Sequence, residues 1–141
     1  MEMRRIFEWV RQLPARIRFN RRFARHAGVL AVGGEALELR RYRLRGSTTY
    51  LELCWRVAWK DVTKIVGFKV DCLACDIICL ELELDGSSAV GVNEEMEGWP
   101  MLLEALPTRF GLRQEEWFTK VALPAFATNM TTLWPRQPAS R

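Results

Sequence analysis

Residues 76–86 read Asp-Ile-Ile-Cys-Leu-Glu-Leu-Glu-Leu-Asp-Gly, and this stretch decides the fold class. Ile78, Leu80, Leu82 and Leu84 recur at every second position, with Cys79, Glu81 and Glu83 between them. A period of two belongs to a half-buried strand, whose successive side chains leave on opposite faces. Asp85-Gly86 follows, the residue pair favoured where a type I′ turn needs positive φ at both central positions. Residues 88–92 should therefore return as an antiparallel partner.

Upstream, Ile65 to Val70 reads as a strand with Val66, Phe68 and Val70 on one side. Trp59-Lys60-Asp61-Val62 breaks the alternation and predicts a turn or helical corner. Tyr50 to Ala58 is another strand, with Leu51, Leu53, Trp55 and Val57 on one face and Glu52, Cys54 and Arg56 on the other. Gly46-Ser47-Thr48 supplies the turn before it. A first strand is expected over Glu35 to Leu44. Its apolar parity changes near Arg40–Arg41, from Leu37 and Leu39 to Tyr42 and Leu44, as a bulge would produce. Gly28, Gly33 and Gly34 punctuate the approach.

Downstream the period changes. Gly98-Trp99-Pro100 places proline in the first turn of a helix, behind Glu94, Glu95 and Glu97. Trp99, Leu102, Leu103, Leu106 and Phe110 form a helical stripe, which Pro107 should end or bend. Gln114 to Leu123 is a second helix, stopped by Pro124. Phe126, Met130, Leu133 and Trp134 are expected to pack as an irregular segment. The fold class is α+β: an antiparallel, strongly bent sheet followed by C-terminal helices. Residues 1–27 form a basic amphipathic arm, 28–136 one domain, and 137–141 a frayed tail.

The 141 residues are 49 % hydrophobic, enough for a core without staples. No run of 18 apolar residues occurs, and the first residues do not resemble a secretory signal. A reducing cytoplasm is the expected setting, and Cys54, Cys72, Cys75 and Cys79 are then free thiols. Cys72-x-x-Cys75 with Cys79 is a weak metal candidate, since zinc wants about four ligands and Cys54 must come from another strand. No cofactor is expected.

Net charge is +4, unevenly spread. Residues 1–27 hold eight arginines (Arg4, Arg5, Arg11, Arg16, Arg18, Arg21, Arg22 and Arg25) against Glu2 and Glu8, a net of +6 that leaves −2 on the rest. Ile6, Val10, Leu13 and Ile17 mark one face of a helix, broadened by Phe7 and Trp9 and interrupted by Pro14. Such a helix either docks its apolar face on the domain or lies on an anionic membrane surface, peripheral to the inner membrane. Contact with nucleic-acid phosphates is a weaker reading.

His26 is the only histidine, so a histidine-based triad is poorly supported, and no phosphate-cradling glycine loop is present. Acids remain. Asp71 and Asp76 flank one strand connection, and Glu94-Glu95 ends the strand that pairs back, so all four belong near one sheet edge. Paired carboxylates serve acid–base chemistry, a divalent metal or a basic partner, but at strand ends they are most simply solvated.

A wider pattern connects these residues. W-K-D-V-x-x-I-x-x-F-K-x-D spans Trp59 to Asp71 and includes Asp61, Val62, Ile65, Phe68 and Lys69. It continues through Asp76-Ile77, the acidic pair before Gly98-Trp99, Trp117, Pro124-Ala125-Phe126, Asn129 and a closing aromatic near Arg136. From Trp59 to Arg136 the chain resembles small uncharacterised bacterial proteins with a pleckstrin-homology-like or related β-rich fold. Some similar domains are immunity proteins beside secreted toxins. The resemblance implies a non-enzymatic binding role. The expected partner is a protein, met by the acidic edge of Asp71, Asp76, Glu94 and Glu95 with Trp59 and Trp99 as aromatic anchors. The alternative is a membrane surface met by the arm.

Overall fold

The computed structural model describes residues 2–23, 25–71, 75–85, 87–124 and 127–135; the side chains of residues 2–10 and 12 lie outside that description. A helix, α1 (Glu2–Phe23), precedes strands β1 (Val29–Val32), β2 (Ala36–Arg45) and β3 (Thr48–Ala58). A single 3-10 turn, Trp59–Asp61, leads into β4 (Val62–Asp71), β5 (Asp76–Leu84) and β6 (Ala89–Asn93). Helices α2 (Trp99–Phe110) and α3 (Gln114–Ala122) follow, and β7 (Thr131–Trp134) closes the described chain.

The architecture is α+β, with two open antiparallel sheets ordered β1-β2-β3 and β6-β5-β4-β7. The sequence suggested one strongly bent sheet. The division falls at the Trp59–Asp61 corner, where Trp59 N–H turns to Glu35 O and Val62 N–H closes on Trp59 O. Strand β1, which the glycines concealed, pairs with β2 from Val29–Arg40 to Val32–Leu37. Strand β7 lies where an irregular segment was expected, against Ile65–Gly67 of β4. Helix α2 continues through Pro107 to Phe110. The β5–β6 hairpin is present, with Leu84 N–H on Ser88 O at 2.9 Å, although Gly86 of its turn lies outside the described residues.

The expected bulge exists, but on the other strand. Leu39 pairs with Trp55 and Arg40 with Leu53, so the extra residue is Cys54 of β3. This reverses the face of everything beyond it. Val57 and Trp55 pair with Leu37 and Leu39 on the core side, whereas Leu53 and Leu51 pair with Arg40 and Tyr42 on the opposite side. Leu51, Leu53, Trp55 and Val57 therefore do not share one face, as unbroken alternation suggested. Burial follows the register: Val57 is 4 % exposed, Leu51 40 % and Leu53 50 %.

One apolar cluster unites both sheets with α2 and α3 through Leu37, Ile65, Leu80, Leu82, Leu102, Leu106 and Val121. Each such side chain contributes about 1.5–3 kcal/mol by leaving water. At Gly67 a Cβ would lie 2.9 Å from Val121 Cγ2 and 3.1 Å from Leu133 Cδ1, so the missing side chain lets α3 and β7 close on β4. Gly98 has φ 88°, and a Cβ there would collide with Leu30 O. That close approach joins the start of α2 to β1, where Leu30 N–H also bonds Glu97 O.

Candidate functional site

The four acids do gather at one end of the second sheet. Asp71 and Asp76 are direct cross-strand partners. Glu94 follows the last residue of β6, and its N–H donates to Ile78 O while its Oε1 accepts Ile78 N–H at 2.9 Å. Glu95 is exposed, and its N–H is held by Asn93 Oδ1 at 3.0 Å. Glu94 thus extends the β5 ladder with its own carboxylate.

Lys69 sits behind these acids. It is 4 % exposed, the one buried charged side chain among the described residues. Its Nζ donates to Asp76 Oδ2 at 2.9 Å, Ala122 O at 2.8 Å and Pro124 O at 2.6 Å. Three acceptors match the three N–H groups of an ammonium. Two are carbonyls at and just beyond the C-terminus of α3, where helical carbonyls lose their own donors. Asn129 completes the closure. Its φ of 47° places it in the left-handed region, and its Nδ2 reaches Val121 O, Leu123 O and Pro124 O. Lys69 N–H bonds Thr128 O at 2.8 Å. Lys69, Asp76, Pro124 and Asn129, scattered through the sequence pattern, meet in this one cluster. Ala125 and Phe126, with Arg136 and the tail, lie outside the described residues.

The two tryptophans expected as surface anchors occupy the core, each 6 % exposed. Trp59 Nε1 donates to Gly33 O at 3.0 Å, its ring meets Phe110 edge-on, and the Arg109 guanidinium stands 5.0 Å above it. Arg109 also donates to Gly34 O. Trp99 opens α2 over the apolar cluster. Apolar exposure at the acidic end comes instead from Val70, Leu123 and Met130, the last 71 % exposed.

The opposite charge collects elsewhere. On α1, Arg11, Arg16, Arg18, Arg21 and Arg22 are exposed; the side chains of Arg4 and Arg5 lie outside the described residues. Leu13 and Ile17, on the apolar stripe, are 37 % and 47 % exposed. The helix meets the body at its last turn, where the Phe23 ring stacks on Tyr42 of β2 at 4.1 Å. His26 secures the exit: its Nδ1 accepts Gly28 N–H, which leaves Nε2 to carry the proton toward Glu97 Oε1 at 2.7 Å. The histidine therefore fixes a chain crossing. Beside this junction, Arg40 and then Arg56 hold the Glu38 carboxyl below its ordinary pKa by hydrogen bonding.

Cys54 lies on the first sheet, whereas Cys79 is buried on the second and Cys75 is exposed just before β5. Cys72 lies outside the described residues. Among the described residues no three His, Cys, Asp or Glu side chains are grouped to hold a metal ion. No helix among them is long and apolar enough to cross a membrane. A surface depression of about 410 Å³ runs between α3 and β7 over Trp117 and Leu133 and includes none of the four acids. No protein-family model, curated protein or solved structure matches the chain.

Proposed function

We propose that this protein is a non-enzymatic binding module that attaches to anionic membrane surfaces through α1. The observation that carries this reading is the exposure of Leu13 and Ile17 between Arg11, Arg16, Arg18 and Arg21. A helix serving only the fold would turn that stripe inward. An interfacial helix sinks its apolar face at the headgroup boundary and keeps its arginines among anionic lipids, each contributing about 1 kcal/mol. The test is flotation of the full chain with phosphatidylcholine vesicles, with and without phosphatidylglycerol. Binding should need the anionic lipid, and Leu13→Asp with Ile17→Asp should weaken it about tenfold or more. Indifference of the unaltered protein to anionic vesicles at low salt would end this reading.

A second reading has its own support. The acidic end of Asp71, Asp76, Glu94 and Glu95 lies in the same region of β4, α3 and β7 as exposed Val70, Leu123 and Met130, a composition suited to a basic, partly apolar protein surface. An immunity-type protein of pleckstrin-homology-like fold would use such an end against a toxin encoded beside it. Asp71→Lys with Glu95→Lys should then weaken that complex about tenfold or more, and an unchanged affinity would remove the acidic end from consideration.

A further inference from the structure

We infer that the outer half of the β2–β3 hairpin is a second lipid-contacting element, so that α1 and the hairpin grip one anionic membrane surface together. This rests on reading α1 as the membrane-binding helix, and it assigns lipid contact to residues of the folded body. From Arg40 to Cys54 no residue is buried, so this ribbon extends beyond the core, whereas Trp55 still packs against it. Its two faces differ in chemistry. Arg40–Leu53, Tyr42–Leu51 and Leu44–Thr49 pair on one face; Arg41–Glu52, Arg43–Tyr50 and Arg45–Thr48 pair on the other. The first face is mostly apolar; the second carries Arg41, Arg43 and Arg45 with Glu52, which Arg43 bonds at 2.8 Å. A two-stranded ribbon has no interior to fill, so Leu51 and Leu53 do not stand there to build a core.

The bulge at Cys54 places them. Without that extra residue they would follow Trp55 and Val57, and with it they join Tyr42. Tyr42 is the residue on which Phe23 of α1 stacks. An apolar surface therefore continues from the base of the helix, across Phe23 and Tyr42, to Leu51.

Charge identifies the occupant. Residues 1–27 and 40–53 together carry twelve arginines against Glu2, Glu8 and Glu52, a net of +9, which leaves −5 on the rest of the chain. A second copy docking by the same face would set +9 against +9. Nucleic acid would answer the charge but leave Leu51 and Leu53 in water. A lipid surface answers both, with leucines at the acyl boundary and arginine stems reaching back to phosphate headgroups.

The test uses the full chain, vesicles of phosphatidylcholine with and without roughly one-third phosphatidylglycerol, and a Leu51→Ser, Leu53→Ser variant. Both positions are exposed, so an unchanged circular dichroism spectrum and unfolding midpoint verify the fold, and Leu51→Met with Leu53→Met should keep binding. The serine variant should lose about tenfold or more in affinity for anionic vesicles while α1 is intact. If it binds as the unaltered protein does while Leu13→Asp with Ile17→Asp does not, the helix reading stands and the hairpin inference falls. If the unaltered protein ignores anionic vesicles, both fall. Two further results overturn the inference: a DNA duplex bound as tightly as the vesicles, with both affinities indifferent to the serines, or a dimer that the serines dissolve without vesicle binding.

Discussion

The acidic end and the basic pole use charge in opposite ways. At the acidic end, Lys69 is buried and surrounded by acceptors, Asp76 is held by it, and Glu94 completes a strand ladder. At the basic pole, exposed arginines stand beside Leu13, Ile17, Leu51 and Leu53, each of which leaves a third to a half of its surface in water. Much of the acidic end stabilises the fold through fixed hydrogen bonds. The basic pole keeps its exposed leucines and isoleucine available, while Arg40 and Arg43 of the hairpin are paired with Glu38 and Glu52. Substitutions should therefore divide: stability falls at one end, surface binding at the other.

The largest effect is expected at Lys69. Lys69→Met removes the donor shared by Asp76, Ala122 O and Pro124 O and leaves a partly buried carboxylate behind, for a loss of about 3–5 kcal/mol in urea unfolding. Next comes Asn129→Ala, which strips the carbonyls of Val121, in the last turn of α3, and of Leu123 and Pro124, just beyond it, of one donor and should cost about 1–3 kcal/mol. If Lys69→Met instead unfolds with the original midpoint, the contrast between a structural end and an available pole fails. Leu13→Asp with Ile17→Asp should change stability by no more than about 0.5 kcal/mol, because both side chains already meet water. A large stability loss there would mean that α1 packs on the body more than its exposure indicates.

The smallest effect concerns acid. Arg40 and Arg56 hold the Glu38 carboxyl below its ordinary pKa. A group whose pKa is depressed in the folded state adds stability above its unfolded pKa and loses it as pH falls through the folded one. Glu38→Gln should therefore be slightly less stable near neutrality, and the difference should vanish in acid. A difference that stays constant with pH would assign the effect to packing.

The period-two run of β5, its return as β6, the corner at Trp59 and helix α3 were legible because each rests on neighbouring residues. Strand β1 was not, since four residues between glycines carry little periodicity. The misplacement of Leu51 and Leu53 has a sharper cause. Alternation through Tyr50–Ala58 is unbroken in sequence, and the bulge at Cys54 exists only because β2 pairs there with a one-residue offset. The Lys69 cluster was hidden because two of its acceptors are backbone carbonyls 53 and 55 residues away. The acids were placed at one edge by hairpin logic, but pattern alone could not tell that Trp59 and Trp99 face inward. The arm was visible through its charge, whereas its continuation onto the hairpin required the register.

The most direct measurement is flotation of the full chain with neutral and anionic vesicles at about 0.05 M and about 0.5 M salt, where screening shortens the reach of exposed arginines. The account predicts recovery with anionic vesicles at low salt, release at high salt and little binding to neutral lipid. No recovery at low salt, or equal recovery with both lipids, would contradict it.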